Sequence, residues 1–154
     1  MIVPDGSIVI AQFWVAGKPQ TGGSKKAFVN KKTGRAIVTE DNKKSKPWRA
    51  DVQAAAYRAV QLESLLEGPL VLKVTFYFNR PKSHYGSGKN AAVLKPSAPQ
   101  YHITRPDTTK LIRPLEDALT GVLWRDDSQI VLQFAEKKFG EFPGAAVTVI
   151  RLIE

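Results

Sequence analysis

Four aspartates between residues 107 and 127, with Lys110 and Arg113 among them, are the part of this chain best equipped for chemistry. The stretch RPDTTKLIRPLEDALTGVLWRDDSQ, residues 105–129, opens on Asp107 and closes on the paired Asp126 and Asp127. Between them Lys110, Arg113 and Asp117 recur at i, i+3 and i+7, a spacing that sets all three on one face of any helix drawn through them. Leu111, Ile112, Leu115, Ala118, Leu119 and Val122 fall on the opposite face as a core stripe. A loop, a helix, a short strand at Val122–Trp124 and an acidic turn thus place two acidic ends beside a cationic stripe. That pattern suits magnesium facing a phosphate, because this ion takes one or two carboxylates and completes its shell with water and phosphate oxygens. Asp107 and Asp127 are the natural ligands, Asp126 or Asp117 comes next, and Lys110 and Arg113 balance the phosphate charge. The plainer reading is local: Asp-Asp suits a turn, and Asp-Thr-Thr before a helix suits a cap.

Pro114 leaves the start of this helix open. A helix beginning at Lys110 carries the proline inside, without one hydrogen bond. A helix beginning at Pro114 has it in the favoured first position, with Glu116 and Asp117 in the first turn.

The elements that must position these residues follow from periodicity. IVIAQFWV, residues 8–15, reads as a first strand, apolar enough to be central. From Lys18 to Arg35 there are six cations (Lys18, Lys25, Lys26, Lys31, Lys32, Arg35) and no acid. Within that run AFVN-KKTG-RAIVT reads as a hairpin turning at Lys31–Gly34. It is either a basic ribbon for a phosphate backbone or an edge kept soluble by lysine. A core-packing helix runs from near Trp48 to about Leu66. LVLKVTFYF, residues 70–78, alternates cleanly and belongs near the middle of the sheet. Residues 79–106 show no periodicity and carry Arg80, Lys82, His84, Lys89, Lys95, His102 and Arg105 without an acid. Such a loop is a basic flap beside Asp107 or a solvated insertion. Its two histidines are too scattered to assign to metal. Ser128–Phe139 and Ala145–Ile153 read as two last strands. The expected fold is one α+β domain over residues 1–154, a mixed sheet covered by two main helices, with hairpins at both ends.

The chain has 154 residues and a formal charge of +9, from 23 Lys plus Arg against 14 Asp plus Glu. The excess favours a polyanionic partner. Lys18, Lys25, Lys26, Lys82, Lys89, Arg105 and Lys137 are the cations expected to meet DNA. Cysteine is absent, which excludes disulfides and cysteine-held zinc and fits a reducing compartment. No apolar run approaches the roughly 20 residues a bilayer crossing needs. MIVPDGS lacks the form of a signal peptide, so a cytoplasmic protein without membrane contact is expected.

PDTTKLIRPLEDALTG followed by VLWRDDSQIV resembles the RusA family of Holliday-junction resolvases, whose signature is approximately PDxDNLxKxxxDALxG and then DDSQV. GKP near the first strand and EKKFG in the later one are also similar. The resemblance covers most of the chain. It implies a small homodimeric endonuclease, bacterial or phage-encoded, that uses Mg2+ (with Mn2+ as a substitute) to nick four-way junction DNA symmetrically. It makes Asp107 the first catalytic aspartate and Asp127 the later one, and Asp117 matches the aspartate of DAL. Arg113 stands where the family has a functional lysine, which keeps the charge and loses a proton donor. Thr109 replaces the family's second catalytic aspartate, and Lys110 the neighbouring asparagine. Asp117 or Asp126 then supplies the carboxylate; the alternative is a weakly active or non-catalytic junction-binding protein.

Overall fold

The computed structural model describes residues 4–154. Its elements run β1 (Ile8–Ala16), β2 (Lys25–Val29), β3 (Ala36–Glu40), α1 (Ser45–Ala59), β4 (Leu70–Asn79), α2 (Thr108–Leu119), β5 (Ile130–Gly140) and β6 (Gly144–Arg151). Four strands form a mixed sheet in the order β1-β6-β4-β5, in which β4 and β5 are parallel and the other pairs antiparallel. Separately, β2 and β3 make the basic hairpin. This is the expected α+β fold. The alternation along β4 explains its place: Leu70, Leu72, Val74 and Phe76 are fully buried, facing the apolar stripes of both helices. Trp48, Val52 and Ala56 come from α1, Leu111, Leu115 and Leu119 from α2, and Ala145, Val147 and Val149 from β6. Each large side chain so buried contributes about 1.5–3 kcal/mol relative to exposure.

Four expectations need correction. β1 is an edge strand, paired only with β6, and its apolar run is not fully buried: Ile8, Val9 and Trp14 stay partly exposed, and Trp14 leans on Tyr77 at 5.6 Å. α1 stops at Ala59, where Val60 turns extended, and the chain beyond it reaches Leu66 in a bridge with Trp124 instead of continuing as helix. Val122–Trp124 is a turn, not a strand; Gly121 sits at φ +81° and donates to the Trp124 carbonyl at 2.7 Å. Finally, β5 and β6 form no hairpin, since β4 lies between them. At the end of β5, Gly140 pairs with Asn79 of β4 so closely that a Cβ there would lie 2.8 Å from Tyr77 Cδ1.

The long basic loop has structure of its own. Two 3-10 turns, Lys82–His84 and Gly88–Asn90, are tied by Lys95 Nζ donating to the Ser83 carbonyl and Arg80 Nη1 donating to the Pro99 carbonyl. Its histidines pack on β4 and β5: His102 stacks on Phe78, and His84 meets Phe139 edge-on.

Candidate functional site

α2 begins at Thr108 with Asp107 as its N-cap, so Pro114 lies inside the helix. Aspartate is a favoured cap, yet the Asp107 side chain makes no capping hydrogen bond. Asp107 instead lines an open pocket of about 350 Å3 with Arg105, Lys110, Gly22 and Asp41. The chain just before it is fastened from β5, where Lys137 Nζ donates to the carbonyls of Thr104 at 2.6 Å and Pro106 at 2.7 Å. An ammonium donor makes such bonds stronger than neutral ones.

Pro114 decides how the pocket's other wall is attached. Lacking an N–H, it leaves the Lys110 carbonyl without its helical donor. The Gly22 N–H fills that gap, donating to Lys110 O at 2.9 Å. The approach requires glycine, since a Cβ on residue 22 would lie 3.0 Å from Glu40 Oε1 and 3.1 Å from Pro114 Cδ. Asn42 extends the attachment by donating to the Thr21 carbonyl, and Arg49 pairs with Glu40 at 3.3 Å. The foot of the hairpin is therefore fixed to α2 beside Asp107.

The acidic turn divides its two aspartates. Asp126 caps the 3-10 turn Asp127–Gln129, accepting from Ser128 N at 2.8 Å, while Gln129 Oε1 accepts from Asp126 N in return. These bonds from Ser128 hold the Asp126 carboxyl below its ordinary range. It lines a different pocket, with Leu66 and Arg125. Asp127 is exposed and lies near Glu116. Burial first, then the charges of Asp127 and Asp117, push the Glu116 carboxyl upward, against the pull of Arg113 and a hydrogen bond from Gln133 Nε2.

Lys110, Arg113 and Asp117 are all exposed on one face of α2, opposite its buried stripe. That face carries two groupings: Asp107 with Arg105 and Lys110 at the helix start, and Arg113, Asp117 and Asp127 around Glu116 further along. Among the described residues no three histidine, aspartate or glutamate side chains converge into a cation cage. The donor set still fits magnesium, which binds through one or two carboxylates and keeps its waters, and Asp107 has a carboxylate left over from capping. Lys18, Lys25, Lys26, Lys82, Lys89 and Arg105 are exposed, with Lys26 paired to Asp41, whereas Lys137 is engaged in fastening the loop. Sequence reasoning missed Glu116 and Asp41 as site neighbours. Glu116 could have been found three residues from Arg113 on the same helix; Asp41 has no signal short of the folded hairpin.

No helix among the described residues is long and apolar enough to cross a membrane. The sequence model for the family described as endodeoxyribonuclease RusA matches residues 17–150. A Bacillus subtilis (strain 168) protein described as uncharacterized protein YqaN is 27% identical over 143 residues, covering 90% of this chain and 94% of that one.

Proposed function

This chain belongs to the RusA family of endodeoxyribonucleases, and from that premise we propose that it nicks four-way DNA junctions with the help of a divalent cation. The observation that carries the proposal is Asp107, a helix-capping aspartate whose carboxylate does no capping and faces an open pocket beside Arg105 and Lys110. Asp107 would hold the cation at the helix start. Asp127, grouped with Asp117 beside Glu116 further along the same face, would have to be drawn toward it on DNA binding to serve as its second ligand, with Asp117 assisting. When bound, magnesium supplies charge neutralisation on the phosphate and a more acidic water. Arg105, Lys110 and Arg113 bind and orient the phosphodiester and offset the charge that builds on its oxygens. Glu116, kept more basic than an ordinary carboxylate by burial and by Asp127, is suited to hold a proton beside that group. Exposed lysines on the hairpin and the long loop supply affinity through phosphate contacts, which should weaken steeply with salt. Cutting two strands of a two-fold symmetric junction calls for a homodimer with two symmetry-related sites.

A second reading, a junction-binding protein without cutting, draws on Thr109 and on the lack of a third converging carboxylate among the described residues. One experiment separates them: a labelled four-way junction incubated with the protein in Mg2+ and in EDTA. Paired nicks only in Mg2+ support the nuclease, and tight binding without nicks supports the rival. Asp107→Asn and Asp127→Asn should each lower cutting by about a hundredfold or more while junction binding stays intact. Full-rate cutting by either variant would overturn the placement of the cation.

A further inference from the structure

A second cavity lies outside the Asp107 pocket, where the long basic loop closes over the ends of β4 and β5. It has a volume of about 680 Å3, and its walls include Asn79, His84, Gln100, Tyr101, His102 and Phe139. Flat rings make up much of that wall. His84 meets Phe139 edge-on at 4.8 Å, and His102 lies 5.0 Å from the same ring. Burial and the nearby charges of Lys137 and Lys18 lower the pKa of His102, which disfavours its charged form. Tyr101, half exposed, stands at the mouth. Side-chain amides of Asn79 and Gln100 offer paired donors and acceptors at the edge. No acidic residue lines the cavity, and the Arg80 guanidinium stands 5.6 Å from the Phe139 centroid. His102 is already stacked on Phe78, so the exposed Tyr101 ring is the face open to stacking. With the amide edges and the cationic surround it suits an unstacked nucleobase on a polyanionic strand.

The cavity is also coupled to the phosphate site. Thr104 is part of its wall, and the Lys137 ammonium that fastens Thr104 also fastens Pro106, the neighbour of Asp107. Thr104 precedes Asp107 by only three positions, a reach of at most about 10 Å. A strand with its phosphate beside Asp107 can therefore place a base about one or two nucleotides away in this cavity. We infer that the cavity captures an unpaired nucleobase next to the phosphate bound beside Asp107, and so selects branched or bulged DNA over continuous duplex. The inference rests on the nucleic-acid part of the proposed function and not on cutting.

The test uses full-length Asp107→Asn protein, so that no strand is cut, with 2-aminopurine as the unpaired base of a one-nucleotide bulge. Binding should change the fluorescence of the bulged probe, and the protein should prefer bulged to continuous duplex. Tyr101→Ala in the same background should lower affinity for the bulge by about fivefold to a hundredfold, and leave continuous duplex within about twofold. Tyr101→Phe keeps the aromatic face and should preserve the preference, whereas Gln100→Trp, which fills the cavity mouth, should abolish it. An unchanged 2-aminopurine signal on binding, or equal losses on bulge and duplex, would overturn the inference. Cutting by the unmutated protein without any 2-aminopurine response would sink the base site alone, and a base response without cutting would leave it standing.

Discussion

Replacing Pro114 by alanine sets two effects against each other and so tests how the Asp107 pocket is held together. A proline inside a helix is less favourable than alanine by about 3 kcal/mol. Here the penalty is smaller, because the carbonyl it frees is already satisfied by Gly22, a bond worth about 1 kcal/mol. The substitution also removes two methylenes of a buried ring, at about 0.8 kcal/mol each. Global stability of Pro114→Ala should therefore stay within about 1 kcal/mol of the parent in a urea melt. Locally the outcome differs. The backbone N–H that the substitution introduces competes for the Lys110 carbonyl, and Gly22 loses both its sole claim on that acceptor and its packing against the ring. Loss of about 1 kcal/mol from that bond should speed hydrogen exchange of the Gly22 amide about fivefold. Junction cutting should fall in parallel, since the hairpin foot that walls the pocket is loosened. Unchanged Gly22 exchange together with a global loss above about 2 kcal/mol would refute the reasoning, and would reduce Pro114 to a packing residue.

Lys137→Met keeps the aliphatic stem but releases the Thr104 and Pro106 carbonyls, so cutting should fall more than about tenfold with junction affinity changed less than about threefold, measured by nicking and by gel shift. His102→Phe should flatten the acid side of the stability profile. The folded-state pKa lies below the ordinary value near 6.5, so stability is full above that pH. It is lost as pH falls below it and the unfolded chain takes up the proton; urea melts from about pH 7.5 down to about pH 5 check the slope. Asp126→Ala should lower the melting temperature by unmaking the capping box while retaining far more cutting than Asp127→Asn, and equal loss of cutting would make Asp126 a site residue.

The chain order of residues was enough for whatever depends on spacing along a single element. The alternation of Leu70, Leu72, Val74 and Phe76 marks β4 as a central strand, and the 3.6-residue stripe of Leu111, Leu115 and Leu119 separates buried from exposed faces of α2. Lys31–Gly34 marks the hairpin turn, and the 105–129 stretch picks out the cationic and acidic residues themselves. What depends on meetings between distant segments was decided by the tertiary structure. Gly22 reaches Lys110 only because the hairpin foot folds back onto a gap left by Pro114, and β4 enters between β5 and β6 although it precedes both. The difference between Asp107 and Asp126 has the same origin. Both stand at the head of a helical turn, and local pattern makes each a cap. Asp126 has Ser128 N–H and Gln129 within its own turn to bind, while Asp107 opens onto a pocket whose other wall comes from the distant Thr21–Ser24 and Asp41–Asn42 segments. Side-chain pattern sets which face a residue occupies; the approach of a remote backbone sets whether its charge is consumed there or left free to act.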